Sequence, residues 1–257
     1  NYLLIGGHFG FPALGIKGAA IATVFGTVVA CVMSIASLLR KDSFVNIRTM
    51  VRDKVRLSLR PVKAIAKLSS SVFLEQLLMR AGFMSTAVMT ARLGTEAFAA
   101  HQAAMNILSI SFSFGDGMQV AAVALIGRSL GEKRPQLARL YGQICQRIGN
   151  VISLAVSVFF LLGGRFLYQI YFDEPHIVDM GVTLVRVIVL IVIVQIAQVI
   201  YMGCLRGAGD VIFTTIASTV SVTIIRTAVS YGMCYVAGLG LVGIWLGILA
   251  DQISRFL

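Results

Sequence analysis

The stretch SSSVFLEQLLMRAGFM (Ser69–Met84) sets a carboxylate and a guanidinium, Glu75 and Arg80, into a run that otherwise reads as oily helix. In water this would be an amphipathic helix with two charges on its outer face. In lipid, each charge needs a partner or a wetted cavity. Composition decides between the two solvents. The 257 residues are 58% hydrophobic and 13% charged, whereas soluble domains carry about 25% charged residues. Mean hydropathy is +0.88. A globule of this size could not bury so much apolar surface, so the solvent is lipid.

A bilayer-crossing helix needs roughly 20 predominantly apolar residues. Seven stretches qualify: 18–39, 68–91, 98–127, 148–171, 184–204, 211–235 and 241–257. Turn chemistry separates them, as in RLGTEAF (92–98), GEKRPQ (131–136), FDEPH (172–176), RGAGD (206–210) and AGLG (237–240). The fold class expected is therefore all-α, a polytopic membrane protein.

The net charge of +11 is unevenly placed. Arg40, Lys41, Arg48, Arg52, Lys54, Arg56, Arg60, Lys63 and Lys67 crowd one linker; Arg128, Lys133, Arg134, Arg139 and Arg147 crowd a second stretch. That is the positive-inside pattern of cytoplasmic loops, not a nucleic-acid-binding face. Alternation puts 172–183, with Asp173, Glu174 and Asp179, outside, and 205–210, with Arg206, inside. The segment RDKVRLSLRP (52–61) reads as an amphipathic helix on an anionic leaflet. Cys31, Cys145, Cys204 and Cys234 are solitary, and His8, His101 and His176 are scattered, so neither a disulfide framework nor a metal site is signalled. With no initiator Met, the chain is expected to be a piece of a longer protein.

An internal echo supports a duplicated architecture. LGIKGAAIA (14–22), before the first span, matches LGLVGIWLG (239–247), before the last. Two helices six spans apart with the same opening turn point to two six-helix halves, as in many transporters.

The polar residues within the spans fall on faces. Gln102, Asn106, Ser109, Ser113 and Asp116 step by four and three along one side of the third span. They form either a wetted wall or interhelical hydrogen-bond glue. Ser71, Glu75, Met79, Gly82 and Thr86 make a comparable face on the second. Arg80 lies roughly 140° around the helix from Glu75, so the two are not a local pair. A carboxyl group in such a place exchanges a proton, or ligates a sodium ion, as its surroundings dry and rewet; the bland alternative is a buried link to an arginine. The fifth span carries Gln195 and Gln198, and the sixth Thr215, Thr219, Thr223, Arg226 and Ser230. Asp251 and Arg255 are expected at the rim of the last.

Three segments carry a resemblance: NYLLIGGHFGFPALGIKGAAIAT (1–23), LGTEAFAAHQAAMNILSISFSFGDGMQVAAVALIGRSLGEKR (93–134) and CLRGAGDV (204–211). They resemble the MATE family, the multidrug and toxic compound extrusion transporters. The resemblance implies twelve helices in two lobes around a cleft, exporting small organic cations against H⁺ or Na⁺ across the cell membrane. This chain would supply the end of the N-terminal lobe (1–39), a basic cytoplasmic inter-lobe linker (40–67) and the C-terminal six-helix lobe (68–257), partnered by the N-terminal lobe and the lipid bilayer. Glu75 would match an acidic residue of the seventh helix that serves cation coupling, and would be the place for a Na⁺. Gln195 falls where the NorM-type branch carries an Asp, leaving Gln195 as a neutral oxygen ligand and Asp116 as a replacement charge. Gln102, Asn106, Met79, Gln198 and Arg226 would line the substrate cleft.

Three other readings compete. A flippase of lipid-linked saccharides shares the two-lobe build but calls for a strongly cationic cleft. An intramembrane enzyme needs a nucleophile–base pair or an HExxH-type cluster, and no such spacing occurs; neither a catalytic residue nor a bound cofactor is expected. A scaffold or inactive fragment is the fourth reading.

Overall fold

The structure, a computed structural model, describes residues 4, 5, 7, 12, 14–39 and 59–257. Most of the expected linker, and of the surface helix read from 52–61, lies outside them. Among the described residues the chain is built from seven long helices: α1 (Gly15–Leu39), α2 (Leu59–Ala91), α3 (Thr95–Gly131), α4 (Pro135–Gln169), α5 (Pro175–Gly207), α6 (Val211–Val236) and α7 (Gly240–Phe256). In α6 the helix widens into π turns at Ser221–Ile225 and Gly232–Val236. Helices α1, α3, α4, α5 and α6 are long and apolar enough to cross a bilayer. Glu75, Gln76 and Arg80 dilute the apolar run of α2, and α7 has 17 residues.

The helices overrun the spans read from hydropathy. At 1.5 Å per residue the 37 residues of α3 extend about 55 Å, against a hydrocarbon core of about 30 Å. The basic stretch 128–147, expected as a loop, is helix on both sides of a turn at 132–134. Hydropathy marks where lipid lies, not where a helix ends. Pro135 and Pro175, in the first turns of α4 and α5, mark the real starts.

Two compact units divide the chain, Asn1–Lys63 and Ala64–Leu257. In the first, the Leu14 amide donates to the Leu4 carbonyl at 3.0 Å, and α1 begins at Gly15 with φ +51°. In the second, the Leu239 amide donates to the Met233 carbonyl at 3.1 Å, and α7 begins at Gly240 with φ +54°. Three residues further, a Cβ on Gly18 would strike the Leu4 carbonyl, and one on Gly243 the Met233 carbonyl. The LG-x-x-G echo is thus one structural device used twice. A left-handed glycine opens the helix, and a second lets its first turn rest on the preceding backbone.

The core of the second unit lies among α3, α4 and α5. Ala100, Ala103, Ala104 and Ile107 of α3 belong to one cluster with Phe160 and Tyr168 of α4 and Ile188, Ile191 and Ile196 of α5. The small residues of the AAHQ segment serve this packing: His101 meets Trp245 edge-on at 5.5 Å, and the Tyr168 hydroxyl donates to the Ala100 carbonyl at 3.2 Å. Lower on the same interface, a Cβ on Gly203 would lie 2.9 Å from the Gln119 carbonyl oxygen, and one on Gly207 3.0 Å from that of Val123. This G-x-x-x-G spacing brings two helix backbones together.

Candidate functional site

The LRGAGD segment shows how local sequence builds the site. Gly207 seats α5 on α3. Gly209, at φ +95°, turns the chain, and Asp210 caps α6 by accepting from the Phe213 amide at 3.2 Å. With the turn fixed, Arg206 in the last turn of α5 reaches back among the helices. Its Nη2 donates to Glu75 Oε1 at 2.6 Å, and its Nε donates to Thr214 Oγ1 at 3.4 Å.

Glu75 is 2% exposed. Thr215 Oγ1 donates to its second oxygen at 3.2 Å. The carboxylate is thus held by α5 on one oxygen and α6 on the other. Further contacts register α2 against α6: Thr223 donates to the Leu78 carbonyl at 3.3 Å, Ser85 and Thr227 share a hydrogen bond of 2.9 Å, and Gly82 lies close under the Val222 backbone. Arg80 is exposed, pointing elsewhere as its angular offset predicted.

Beside Glu75 is a cavity of about 150 Å³. Glu75, Gln76 and Met79 of α2, Asp116 and Gln119 of α3, Gln198 and Arg206 of α5, and Arg255 of α7 line it. It is large enough for ions and waters, not for a drug. Glu75, Asp116, Met79 and Gln198 are therefore brought together on one cavity. The Gln198 side-chain oxygen Oε1 is buried without a hydrogen-bond partner.

Other expected site residues are placed differently. Gln195 is fully buried, with both amide atoms unpartnered, and is not part of the cavity lining. Gln102 and Asn106, with Ser109, Ser113 and Asp116, are exposed along one face of α3. The two serines donate to carbonyls of their own helix, Ser109 to Asn106 at 2.6 Å and Ser113 to Ser109 at 3.1 Å, so this face is not interhelical glue within the unit. Arg226, expected in the cleft, is 2% exposed; its guanidinium lies 4.6 Å over the Phe83 ring and 3.6 Å from Asp251 Oδ2.

Asp251 and Arg255, expected at a membrane rim, form a buried cluster. Asp251 is 0% exposed; its Oδ2 accepts from Arg255 at 2.9 Å and its Oδ1 from Ser221 Oγ at 2.6 Å. Ser221 opens the first π turn of α6; in and just after that turn Ser221 and Arg226 meet Asp251 of α7, while Thr223 bonds to the Leu78 carbonyl of α2. Such π turns are frequent at functional sites. Sequence reading allowed Glu75 a buried arginine partner but could not name Arg206, nor Arg226 for Asp251, because ion pairs between distant helices have no spacing signature; Asp251–Arg255, an i, i+4 pair on α7, does have one. The signal available was charge parity: a lone buried acid calls for a cation.

Among the described residues, no group of three or more His, Cys, Asp or Glu is arranged to hold a metal ion. A sodium ion at Glu75 would instead be held by oxygens: the carboxylate, the free Gln198 Oε1 and water. The donor set fits, provided that Arg206 gives way.

The MatE family model matches residues 72–232. The chain belongs to the MatE family. Relatives agree along its length: a probable multidrug resistance protein NorM of Thermotoga maritima is 28% identical over 99% of this chain and 54% of its own. Another NorM, of Bradyrhizobium diazoefficiens, is 30% identical over 96% of this chain and 53% of its own. The chain thus spans about half the length of the curated relatives it matches. The fold is that of a multidrug resistance MATE family transporter of the MOP superfamily solved in an outward-facing conformation, with TM-score 0.85 at 20% identity over 98% of this chain and 56% of the other. A MATE protein in the bent conformation gives 0.81 at 21% identity, again over 98% of this chain and 55% of the other. MATE members are transporters, and the helices α1 and α3–α6 are those of an integral membrane protein.

Proposed function

We propose that this chain forms part of a cation-coupled multidrug exporter, a transporter and not an enzyme, with Glu75 as its coupling group. The observation that carries the proposal is a buried carboxylate on an ion-sized cavity whose counterion can leave. Arg206 is 28% exposed, so its guanidinium can swing to water when something else neutralises Glu75. H⁺ or Na⁺ would do so from one side of the membrane, and a cationic drug from the other. One negative charge serving rival cations yields antiport without contact between the two ligands. Gln198 and Asp116 supply further oxygens; small organic cations are the substrates, and the N-terminal lobe completes the cleft. We infer from the placement of Arg128, Lys133, Arg134, Arg139 and Arg147 that this end of the bundle, and the 40–67 linker, face the cytoplasm of a plasma-membrane protein. The saccharide-flippase reading gains less support. Arg206 is engaged by Glu75, and Arg226 and Arg255 by Asp251, so these guanidiniums do not form a free cationic cleft.

The test is dye efflux by the full-length protein in vesicles, with pH and sodium gradients imposed separately. Glu75→Gln is expected to abolish gradient-driven efflux. Wild-type efflux in that variant would overturn the coupling role, and efflux independent of both gradients would overturn the antiport.

A further inference from the structure

We propose that the basic end of the second unit carries a binding site for an anionic phospholipid, set between α3, α4 and α5. A cavity of about 670 Å³ opens there, within the range of small-molecule pockets. Its wall is apolar where Ile126 and Leu130 of α3 face Tyr201 and Leu205 of α5. Arg139 and Arg147 of α4 line the same cavity, and both are exposed. Neither is in an ion pair with any described residue, whereas nearby Arg128 is held by Glu132 at 3.0 Å. Gln146, also on the cavity, donates through Nε2 to Asn150 Oδ1 at 3.1 Å; its carbonyl Oε1 is buried and has no partner.

These three features describe one ligand. A phosphodiester has two non-bridging oxygens sharing one negative charge, which match the guanidinium fork. An acyl chain matches the apolar wall, and a headgroup hydroxyl would satisfy the orphaned Gln146 oxygen. Ile144, Ile148 and Val151, exposed along α4, continue the oily surface away from the cavity, so a chain rooted there passes directly into the bilayer. Basic pockets between helices are a recurrent lipid-headgroup site. Other occupants suit the charge less well. A cationic drug is repelled by Arg139 and Arg147. So is the chain's own segment 40–67, with its nine basic residues Arg40, Lys41, Arg48, Arg52, Lys54, Arg56, Arg60, Lys63 and Lys67. The inference is independent of Glu75 and rests only on the membrane placement of these helices.

The test is lipid binding by the full-length protein, delipidated in neutral detergent and followed by native mass spectrometry. Phosphatidylglycerol is expected to bind about tenfold more tightly than phosphatidylcholine of the same acyl chains. The double variant Arg139→Gln/Arg147→Gln, changed only at exposed positions, should lose that preference; Arg92→Gln at the opposite end should keep it. Gly142→Leu is the second arm. A Cβ there would sit 3.7 Å from Cys204 Sγ and from Ile126 Cδ1, so the added side chain grows into the cavity while both arginines remain. It should weaken both lipids. Millimolar inorganic phosphate should leave the lipid bound. An unchanged preference in the double variant overturns the site. So does displacement by phosphate, which would make it a free-anion site, or full binding in a folded Gly142→Leu, which would reduce it to surface attraction.

Discussion

Glu75 on α2 and Asp251 on α7 are both withdrawn from solvent, at 2% and 0% exposure, and both are met by arginine, yet their surroundings differ in what can leave. Among the described residues Glu75 has one arginine partner, Arg206, which is 28% exposed, and an ion-sized cavity beside it. Asp251 has two, Arg226 at 2% and Arg255 at 9%, and is tied by Ser221 to a π turn of the neighbouring helix. In the first arrangement the cation is partly exposed and borders a cavity, so it has room to turn away. In the second, removing any charge strands another in a dry interior. Two carboxylates in one bundle thus differ in the number and exposure of their partners and in the space beside them.

The sharpest way to break this contrast is Asp251→Asn. It leaves Arg226 and Arg255 buried without a counter-charge, and should cost about 3–5 kcal/mol, read as a large fall in the thermal midpoint of the detergent-solubilised full-length protein. A small fall would mean that the cluster is wetter than its burial implies. Glu75→Gln comes next, at about 1.5–3 kcal/mol, because the released Arg206 can hydrate. An effect equal to that of Asp251→Asn would erase the distinction between the two sites. The smallest change is Ser85→Ala, which removes the hydroxyl bonded to Thr227 in the α2–α6 register and should cost about 0.6 kcal/mol. The same midpoint measurement reads it, and a loss as large as that of Glu75→Gln would shift the weight of that interface from the carboxylate to the hydroxyl pair.

Much of this architecture was legible in one dimension. Apolar runs located the helices, and RGAGD announced a turn. The repeated LG-x-x-G predicted two helices opening alike, and Gly15 and Gly240 do so with nearly the same φ. What hydropathy could not supply was the helix ends, because α3 and α4 continue as helix through the charged residues Arg128 and Arg139. The site was partly legible. Glu75, Met79, Asp116 and Gln198 fell to a reading of polar positions inside apolar spans, and they share one cavity. The same reading could not separate them from Gln195 and Arg226, which are as polar and as deep in the sequence pattern but are placed outside that cavity's lining.

The amino-acid order alone determined the class of fold, the duplicated opening turn and the crowding of basic residues into two stretches, 40–67 and 128–147. Each follows from local composition or short-range periodicity, which helices express without reference to their neighbours. Only the tertiary structure decided which arginine answers which carboxylate. Arg206 is 131 residues from Glu75, and what joins them is the close seating of Gly203 and Gly207 on α3 together with the turn at Gly209. Electrostatic partnership depends on distance in space, and helix packing, not sequence spacing, sets that distance.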